Sequence, residues 1–272
     1  MKGHTMKLTM LGTGHAMVTE CYNTCFALQD EGKYFLIDCG GGNGILRQLK
    51  RAGIPVTDIR DLFITHRHVD HMTGFVWILR SFLAGFRSGR LEGELRVYGH
   101  DEVMHIADRM ASYFFTEQEY DVFKERVKLI EVHDGESFEI IGHKVTFFDI
   151  QSNKAKQFGF RIMLDDERWL TCLGDEAYHD CCEKYVLDAE WLMHEAFCLS
   201  TGNIRFDPKE KYHSTVADAC AAAEELGVHN LILYHTEDSD LPGRKQAYTA
   251  EGRTVFSGRL YVPDDLETIV LE

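Results

Sequence analysis

Short apolar runs alternate with longer amphipathic stretches along the first third of the chain. Apolar runs of about four to eight residues bounded by glycine or polar residues are typical of buried strands, and longer stretches with one apolar face are typical of helices. Strands are predicted at residues 7–11, 24–28, 34–38 and 61–65. Helices are predicted at about 43–52, after a run of three glycines, and at 73–86. This part of the chain therefore has the pattern of an α/β protein.

The same pattern continues to the C-terminal end, with more strands in the middle of the chain. Further strands are predicted at 94–98, 128–132, 137–141, 144–150, 190–193 and 230–234, and a hairpin joins 158–164 to 168–173 across Asp165 and Asp166. Two helices are predicted within 101–127 and one at 214–226, capped by Ser214. Because strands and helices mix in both halves, we expect two sheets sandwiched by helices.

No repeat, low-complexity linker or proline-rich boundary divides the 272 residues, so we expect one continuous domain over 1–272. Residues 101–127 differ from the rest as an acidic, aromatic helical insert. The aromatic residues of this insert are Tyr113, Phe114, Phe115, Tyr120 and Phe123. We expect them to pack the insert's own helices. The alternatives are that they cover the mouth of a site or form a homodimer contact.

Charge and cysteine usage narrow the classes of partner and compartment. The formal net charge of −15 would repel a polyanion such as RNA from most of the surface, so contact with nucleic acid requires a local basic patch or metal ions. The eight cysteines form no CxxC pair, which favours free thiols in a reducing cytoplasm. The N-terminal residues lack the apolar core of a signal peptide, and no stretch approaches the ~20 apolar residues of a membrane span. We therefore expect a cytoplasmic protein without membrane association.

The strongest chemical signal is a cluster of metal-binding residue types directly after the predicted strand at 61–65. The cluster consists of His66, His68, Asp70 and His71. A strand that ends in a tight loop can turn such side chains toward one point, and imidazole and carboxylate are ligands that zinc, iron and manganese accept. The alternative is a solvated polar loop that contains histidines by chance.

Two further candidates lie at the ends of later strands. Asp175 follows Leu173 and Gly174, and an aspartate in this position is commonly a turn residue. His235 directly follows the apolar run 231–234 at the end of a predicted strand, where a lone histidine is commonly a hydrogen-bonded core residue. Taken singly, each residue is therefore ambiguous.

The order of these motifs resembles that of the metallo-β-lactamase superfamily, from Leu8 to about Glu237. The segment from His66 to His71 resembles the HxHxDH signature of that superfamily. Four other segments resemble its ribonuclease Z branch: Leu11-Gly12-Thr13-Gly14 with Asn23-Thr24, Leu36-Ile37-Asp38-Cys39-Gly40, His194-Glu195-Ala196-Phe197 and His213-Ser214-Thr215. The resemblance implies an αββα sandwich, with two mixed β-sheets flanked by helices.

The resemblance also implies a site that holds two divalent metal ions, zinc first, with manganese and iron as alternatives. His66 and His68 would bind one ion. Asp70, His71 and His235 would bind the other, and Asp175 would bridge both. Asp70 would also orient a metal-bound hydroxide. His213, supported by Glu195, would protonate the leaving group; alternatively, His213 is merely the neighbour of a helix cap at Ser214.

The sequence departs from the ribonuclease Z pattern in two places. The branch has a third histidine for the first ion after a strand in mid-chain, but here the strand 144–150 leads into Gln151 and Asn153, whose amide oxygens are weak zinc ligands. His133 and His143 lie at the wrong ends of their strands. The segment before Asp175 is filled by the hairpin, so we expect no arm that clamps tRNA.

These observations predict a metal-dependent hydrolase, most simply a phosphodiesterase. Its substrate would be an RNA 3′ end, a cyclic nucleotide or another small phosphodiester. One alternative is hydrolysis of a lactone or thioester. The other is a metal-deficient binding or sensing protein on the same fold, for which the missing third histidine is the support.

Overall fold

The computed structural model describes residues 6–165, 167–201 and 208–272, with Lys209 as backbone only. Two compact units account for this part of the chain. Unit 1 comprises the residues up to Gly12, Tyr22–His133 and Leu266–Glu272. Unit 2 comprises Thr13–Cys21 and Asp134–Asp265. Each unit contains one mixed sheet, which has seven strands among the described residues.

Unit 1 carries the sheet with strand order β14-β1-β2-β3-β4-β5-β6. Its strands are β1 (Met6–Gly12), β2 (Cys25–Asp30), β3 (Lys33–Ile37), β4 (Ile59–Phe63), β5 (Leu95–Gly99), β6 (Val127–Glu131) and β14 (Thr268–Leu271). Its helices are α1 (Gly44–Ala52), α2 (Val69–Met72), α3 (Phe75–Arg87), α4 (Asp101–Phe114) and α5 (Glu117–Arg126). Strands β3 to β6 run parallel, and β14, β1, β2 and β3 pair antiparallel.

Helix α3 contributes an apolar stripe to the core of unit 1. Its buried apolar residues are Phe75, Ile78, Leu79, Phe82 and Leu83. They recur at the i, i+3, i+4, i+7 and i+8 positions that fall on one face of an α-helix. Burying each such side chain stabilises the fold by roughly 1.5–3 kcal/mol. This face therefore fixes α3, and with it the short helix α2 that precedes it.

Unit 2 carries the sheet with strand order β13-β12-β11-β10-β9-β8-β7. Its strands are β7 (Ser137–Ile140), β8 (His143–Asp149), β9 (Phe158–Met163), β10 (Trp169–Cys172), β11 (Trp191–Glu195), β12 (Asn230–Tyr234) and β13 (Arg259–Tyr261). Its helices are α6 (Glu183–Val186), α7 (Val216–Glu225) and α8 (Leu241–Gly252). Strands β7 to β10 pair antiparallel, and β10 to β13 run parallel.

The predicted α/β class with two mixed sheets flanked by helices is confirmed. The predicted strands lie within one or two residues of the observed ones, and the hairpin pairs β9 with β10, although Asp166 at its turn lies outside the described residues. The pattern did not predict α2, α6, α8, β13 and β14. These elements are short or lack a clear apolar periodicity, so local sequence gives little signal for them.

The predicted cap of the helix at 214–226 is wrong. Helix α7 begins at Val216, and its N-cap is Thr215, whose hydroxyl accepts a hydrogen bond from the backbone N–H of Asp218. The Asp218 carboxylate accepts in return from the Thr215 backbone N–H, which completes a capping box. The backbone N–H of Ser214 instead donates to the carboxylate of Glu195. Ser214 is thereby held outside the helix by a residue of β11.

The prediction for the aromatic insert is correct for some of its residues. Phe115 and Phe123 are buried in the core of unit 1, and the Tyr120 ring stacks on Phe123 with centroids 5.7 Å apart. Tyr113 and Phe114 are 72% and 65% exposed, so for these two the prediction is wrong. They lie at the C-terminal end of α4, on the part of the helix that does not pack against the core of unit 1.

The cysteines and the helices of the structure bear on the predicted compartment. All eight cysteines lie in the described ranges and are free thiols, as predicted. Among the described residues, no helix combines the length and apolar character that a membrane crossing needs.

Candidate metal centre

Asp38 organises the loops that follow two neighbouring strands of unit 1. Strands β3 and β4 are parallel, so their carboxyl ends lie at the same edge of the sheet. Asp38 follows β3 directly and accepts hydrogen bonds from the backbone N–H and the hydroxyl of Thr65, each at 2.8 Å. Asp38 has a left-handed backbone conformation (φ 57°), which an aspartate tolerates better than most residues. The loop after β4 is thereby tied to the end of β3.

The predicted histidine cluster of unit 1 is gathered at this edge. The Nε2 atom of His66 lies 2.8 Å from Nδ1 of His68, and the rings of His66 and His71 lie 4.2 Å apart between centroids. A carboxylate oxygen of Asp70 lies 3.4 Å from Nε2 of His71. His66, Asp70 and His71 are buried, and His68 is half-buried. The cluster is therefore not a solvated loop.

Asp38 also orients His71, a role that the sequence did not reveal. Its carboxylate lies 2.7 Å from Nδ1 of His71, so Nδ1 donates to Asp38 and Nε2 is the nitrogen that a metal ion would bind, displacing any proton there. Burial opposes the charged form of His71, but the carboxylates of Asp70 and Asp38 outweigh it and hold the pKa of His71 well above its usual range. A site with this excess of negative charge attracts a cation. In the sequence, the signal for this role of Asp38 was its position directly after a buried strand.

Three parallel strands of unit 2 bring a second group of predicted residues to one edge. Strands β10, β11 and β12 are adjacent, and the chain continues from their carboxyl ends toward Asp175, Glu195 and His235 respectively. All three side chains are buried. Nε2 of His235 lies 3.4 Å from Oδ2 of Asp175. The strand order thus explains why residues from three distant segments meet.

Gly174 sets the position of Asp175. Its φ of 87° lies in the left-handed region, and a Cβ on this residue would come within 2.1 Å of the Gln157 side-chain nitrogen. The carbonyl of Gly174 accepts a hydrogen bond from the buried hydroxyl of Tyr234, the last residue of β12. A glycine is therefore needed for the turn that carries Asp175 to the edge beside β12.

His213 and Glu195 form a pair at the same edge. Nδ1 of His213 lies 3.2 Å from Oε2 of Glu195, and the ring stacks between Phe197 at 5.0 Å and His235 at 5.4 Å. Burial raises the pKa of Glu195 to about 7, against the opposing influence of His235 and other neighbours. His213, Glu195 and His235 each offer a ligand atom, and these atoms lie within 4.8 Å of one another. The pair can therefore carry a proton or complete a metal site.

The amide side chains considered for the missing third histidine are placed elsewhere. Gln151 and Asn153 are both exposed, and the Asn153 side-chain nitrogen donates to Glu176 at 3.2 Å. His133 is 70% exposed and lies near Glu131. Nδ1 of His143 lies 2.8 Å from the backbone carbonyl of Met163. The Asn153 amide is thus bonded to Glu176, the residue after Asp175 at this edge, and the His143 ring is bonded to the backbone of β9.

Lys154, which the sequence did not single out, lies at that edge instead. Its ammonium donates to the backbone carbonyl of Asp175 at 2.7 Å and lies 3.3 Å from Nδ1 of His213. No motif marks this lysine, because its position depends on the path of the loop after β8.

The helical insert borders an apolar cleft of about 610 Å³ within unit 1. Met110, Phe114 and Phe115 line it from the insert, and Val76 and Trp77 line it from α3. The cleft extends to Gly42 and Thr73, and Thr73 directly follows α2. It is an apolar surface next to the helix that carries Asp70 and His71.

The residues of both units fit a divalent metal ion. Each unit offers buried imidazole nitrogens together with a carboxylate, which are the donors that zinc, manganese and iron accept. The Asp38–His71 contact is the outer hydrogen bond that metal-binding histidines usually make. The donor chemistry therefore supports the predicted ligand types.

Comparison with known proteins gives the same fold. The ribonuclease Z of Nostoc punctiforme is 24% identical over 301 residues, which cover 92% of this chain and 92% of that protein. The metallo-β-lactamase fold protein YhfI from Bacillus subtilis matches with a TM-score of 0.79 at 20% identity, over 98% of this chain and 99% of that chain. The short form of human tRNase Z matches with a TM-score of 0.72 at 22% identity, over 98% and 99%.

The family comparison covers almost the whole chain. Residues 6–256 match the family model described as Anti-Pycsar protein Apyc1. Hydrolases of the metallo-β-lactamase fold use divalent metal ions, and the histidine and carboxylate clusters described above are of the kind that bind them. The chain is thus a metal-dependent, ribonuclease Z-like hydrolase of the metallo-β-lactamase fold, and it belongs to the Anti-Pycsar protein Apyc1 family.

Proposed function

We propose that this hydrolase is a phosphodiesterase whose substrates are small phosphodiesters, cyclic nucleotides among them, or RNA 3′ ends. The observation that carries the proposal is the pair of His213 and Glu195, in contact at 3.2 Å on the sheet edge that also holds Asp175 and His235. A histidine backed by a buried carboxylate is suited to donate a proton to a poor leaving group. A thiolate leaving from a thioester needs less protonation than an alkoxide leaving from phosphorus.

We further propose two sets of metal ligands, as the resemblance implies. One ion would be held by Asp70, His71, Asp175 and His235, a full set of four donors. The other would be held by His66 and His68 and would share Asp175. Because the second set lacks its third histidine, this ion should be the weaker of the two. Zinc suits the donors best, with manganese and iron as alternatives.

The chain's own residues would divide the remaining work. When bound, divalent ions supply a hydroxide near neutral pH and neutralise charge on the phosphoryl oxygens. Asp70 would accept a hydrogen bond from that nucleophile and hold its direction of attack. Glu195 would accept from Nδ1 of His213, which orients the imidazole and favours its protonated form. Nε2 of His213 would then donate its proton to the leaving oxygen.

Metal analysis and a substrate panel test this proposal. We expect about two zinc ions per chain after preparation with zinc, because two-metal sites of this kind hold two ions. We also expect hydrolysis of bis-p-nitrophenyl phosphate that is lost on chelation and restored by zinc. Protein that binds no transition metal when metal is supplied would contradict the enzyme and favour a binding or sensing role. Faster hydrolysis of a lactone or thioester than of any phosphodiester would contradict the proposed reaction.

Four further features are proposed for the same protein. The eight free thiols support a reducing compartment such as the cytoplasm. The insert at 101–127 would set specificity, because Phe114 and Trp77 border the cleft that extends to Thr73. The exposed Tyr113 and Phe114 would serve either this cleft or a homodimer contact. We also propose that the protein has no arm that clamps tRNA.

A further inference from the structure

Lys154 lies in the loop after β8 with its charged end turned inward. Its side chain is only 15% exposed, which is uncommon for a lysine, whose ammonium is strongly hydrated. The ammonium donates to the backbone carbonyl of Asp175 at 2.7 Å and lies 3.8 Å from Oδ1 of the same residue. Two contacts with one aspartate hold the positive charge in a fixed place.

The two carboxylate oxygens of Asp175 face different partners. Oδ2 lies 3.4 Å from Nε2 of His235, the residue proposed to share one ion with Asp175. Oδ1 lies 3.8 Å from the ammonium of Lys154. A carboxylate shared by two ions would give one oxygen to each, so the charge of Lys154 would lie beside the oxygen that is not next to His235.

The two amide residues of this loop, Gln151 and Asn153, are exposed, and Asn153 is bonded to a neighbouring carboxylate. Asn153, directly before Lys154, donates its backbone N–H and its amide nitrogen to Oε1 of the buried Glu176, at 2.9 and 3.2 Å. At this end of β8 the chain therefore presents an ammonium, which has three donors and no acceptor and cannot bind a metal while charged.

We propose that the ammonium of Lys154 supplies, beside Asp175, part of the positive charge that the weaker ion would otherwise supply. The centre would then hold one ion tightly and one only weakly, with Lys154 balancing Oδ1 of Asp175 when the weaker ion is absent. This inference rests on the proposed metal centre and explains its unequal sites. A fixed positive charge a few ångströms from an ion lowers the affinity for that ion. Lys154 is thus a positioning residue that sets metal stoichiometry.

A zinc titration of the full-length protein tests the inference without an activity assay. Lys154→Met removes the charge but keeps an unbranched side chain of similar length, and Lys154→Arg keeps the charge. Lys156→Met is the matched control, because Lys156 lies two positions along the same loop and its ammonium faces the ring of Phe158, 5.7 Å away. Binding of each equivalent of zinc is followed with a competing chromophoric chelator.

We expect the unaltered protein, Lys154→Arg and Lys156→Met to bind one equivalent tightly and a second weakly. In Lys154→Met the second equivalent should bind at least about tenfold more tightly, since the repelling charge is gone. Equal affinity for the second equivalent in Lys154→Met and Lys156→Met would overturn the role of Lys154 and leave the metal centre intact. A chain that binds no zinc in any variant would overturn the metal centre and this inference with it.

Discussion

At the scale of single residues, the edge of the unit 2 sheet holds two contacting pairs of ionisable side chains close together. Asp175 and His235 contact each other through Oδ2 and Nε2, while His213 contacts Glu195 through Nδ1. The His213 ring nevertheless lies only 5.4 Å from the His235 ring. Position alone therefore does not distinguish a proton donor from a metal ligand. Substitution of single residues distinguishes the two roles.

Replacing His213 should impair chemistry without removing metal. We expect His213→Ala to retain nearly all bound zinc and to lose roughly 10²–10⁴-fold in rate on a diester with an alkoxide leaving group, the usual value of a positioned general acid. The loss should be smaller with a nitrophenolate, which needs little protonation. His71→Ala should lose metal and activity together. Zinc content and single-turnover rates measure both effects.

His229→Ala serves as the control for these histidine variants, because His229 is exposed and contacts Glu190 at 3.1 Å on the surface of unit 2. It should leave zinc content and rate unchanged. If His213→Ala instead releases an equivalent of zinc, His213 is a ligand. If it alters neither property, the phosphodiesterase proposal fails.

At the scale of elements, the candidate residues of unit 2 depend on parallel strands that present their carboxyl ends together. Strand β12 was predicted at its observed bounds because residues 231–234 form an uninterrupted apolar run directly after Asn230. Helix α8 was not predicted, yet its Arg244 is buried. The guanidinium donates to the hydroxyl groups of Thr13 and Thr236 at 3.0 and 2.7 Å. Thr236 directly follows His235, so an unpredicted helix steadies the end of a predicted strand.

The capping box of α7 should contribute to stability rather than to metal binding. We expect Thr215→Ala to lower the free energy of unfolding by about 1 kcal/mol, because the N–H of Asp218 loses its acceptor. Thr215→Ser keeps the hydroxyl and should lose much less. Thermal unfolding of the two variants, together with their zinc content, measures the difference. A loss of zinc in Thr215→Ala at full helix content would show that the cap holds the metal residues directly.

At the scale of the whole molecule, the net charge of −15 restricts the substrates that can approach. A protein that binds tRNA neutralises phosphates with lysine and arginine, and its affinity falls steeply with salt. With 44 acidic and 29 basic residues, this chain offers little basic surface for a long polyanion. Small diesters carry a single charge and are much less affected.

We therefore expect poor cleavage of precursor tRNA beside ready cleavage of small diesters. The comparison uses a precursor tRNA with a 3′ trailer and a small diester at the same enzyme and zinc concentrations, at low and at physiological salt. A short oligonucleotide with the same 3′ sequence is the control for length. Efficient cleavage that improves with tRNA length would contradict both the proposed absence of a clamping arm and the proposed effect of charge.

The fold class, most of the strands and the segments that carry the candidate residues could be predicted from the sequence alone. This was possible because apolar periodicity is local, and because the motif from His66 to His71 lies within six residues directly after a strand. The motif order further along the chain added Asp175, Glu195, His213 and His235 as candidates, without showing any contact among them.

Which residues contact one another across the sheet edges is determined by the tertiary structure. Asp38 meets His71 because β3 and β4 are parallel neighbours, and Lys154 meets Asp175 because the loop after β8 returns to the end of β10. The tertiary structure also moved the cap of α7 from Ser214 to Thr215, since Glu195 on β11 holds the N–H of Ser214. These contacts join residues far apart in sequence, so they are fixed by strand order and loop path rather than by any local pattern.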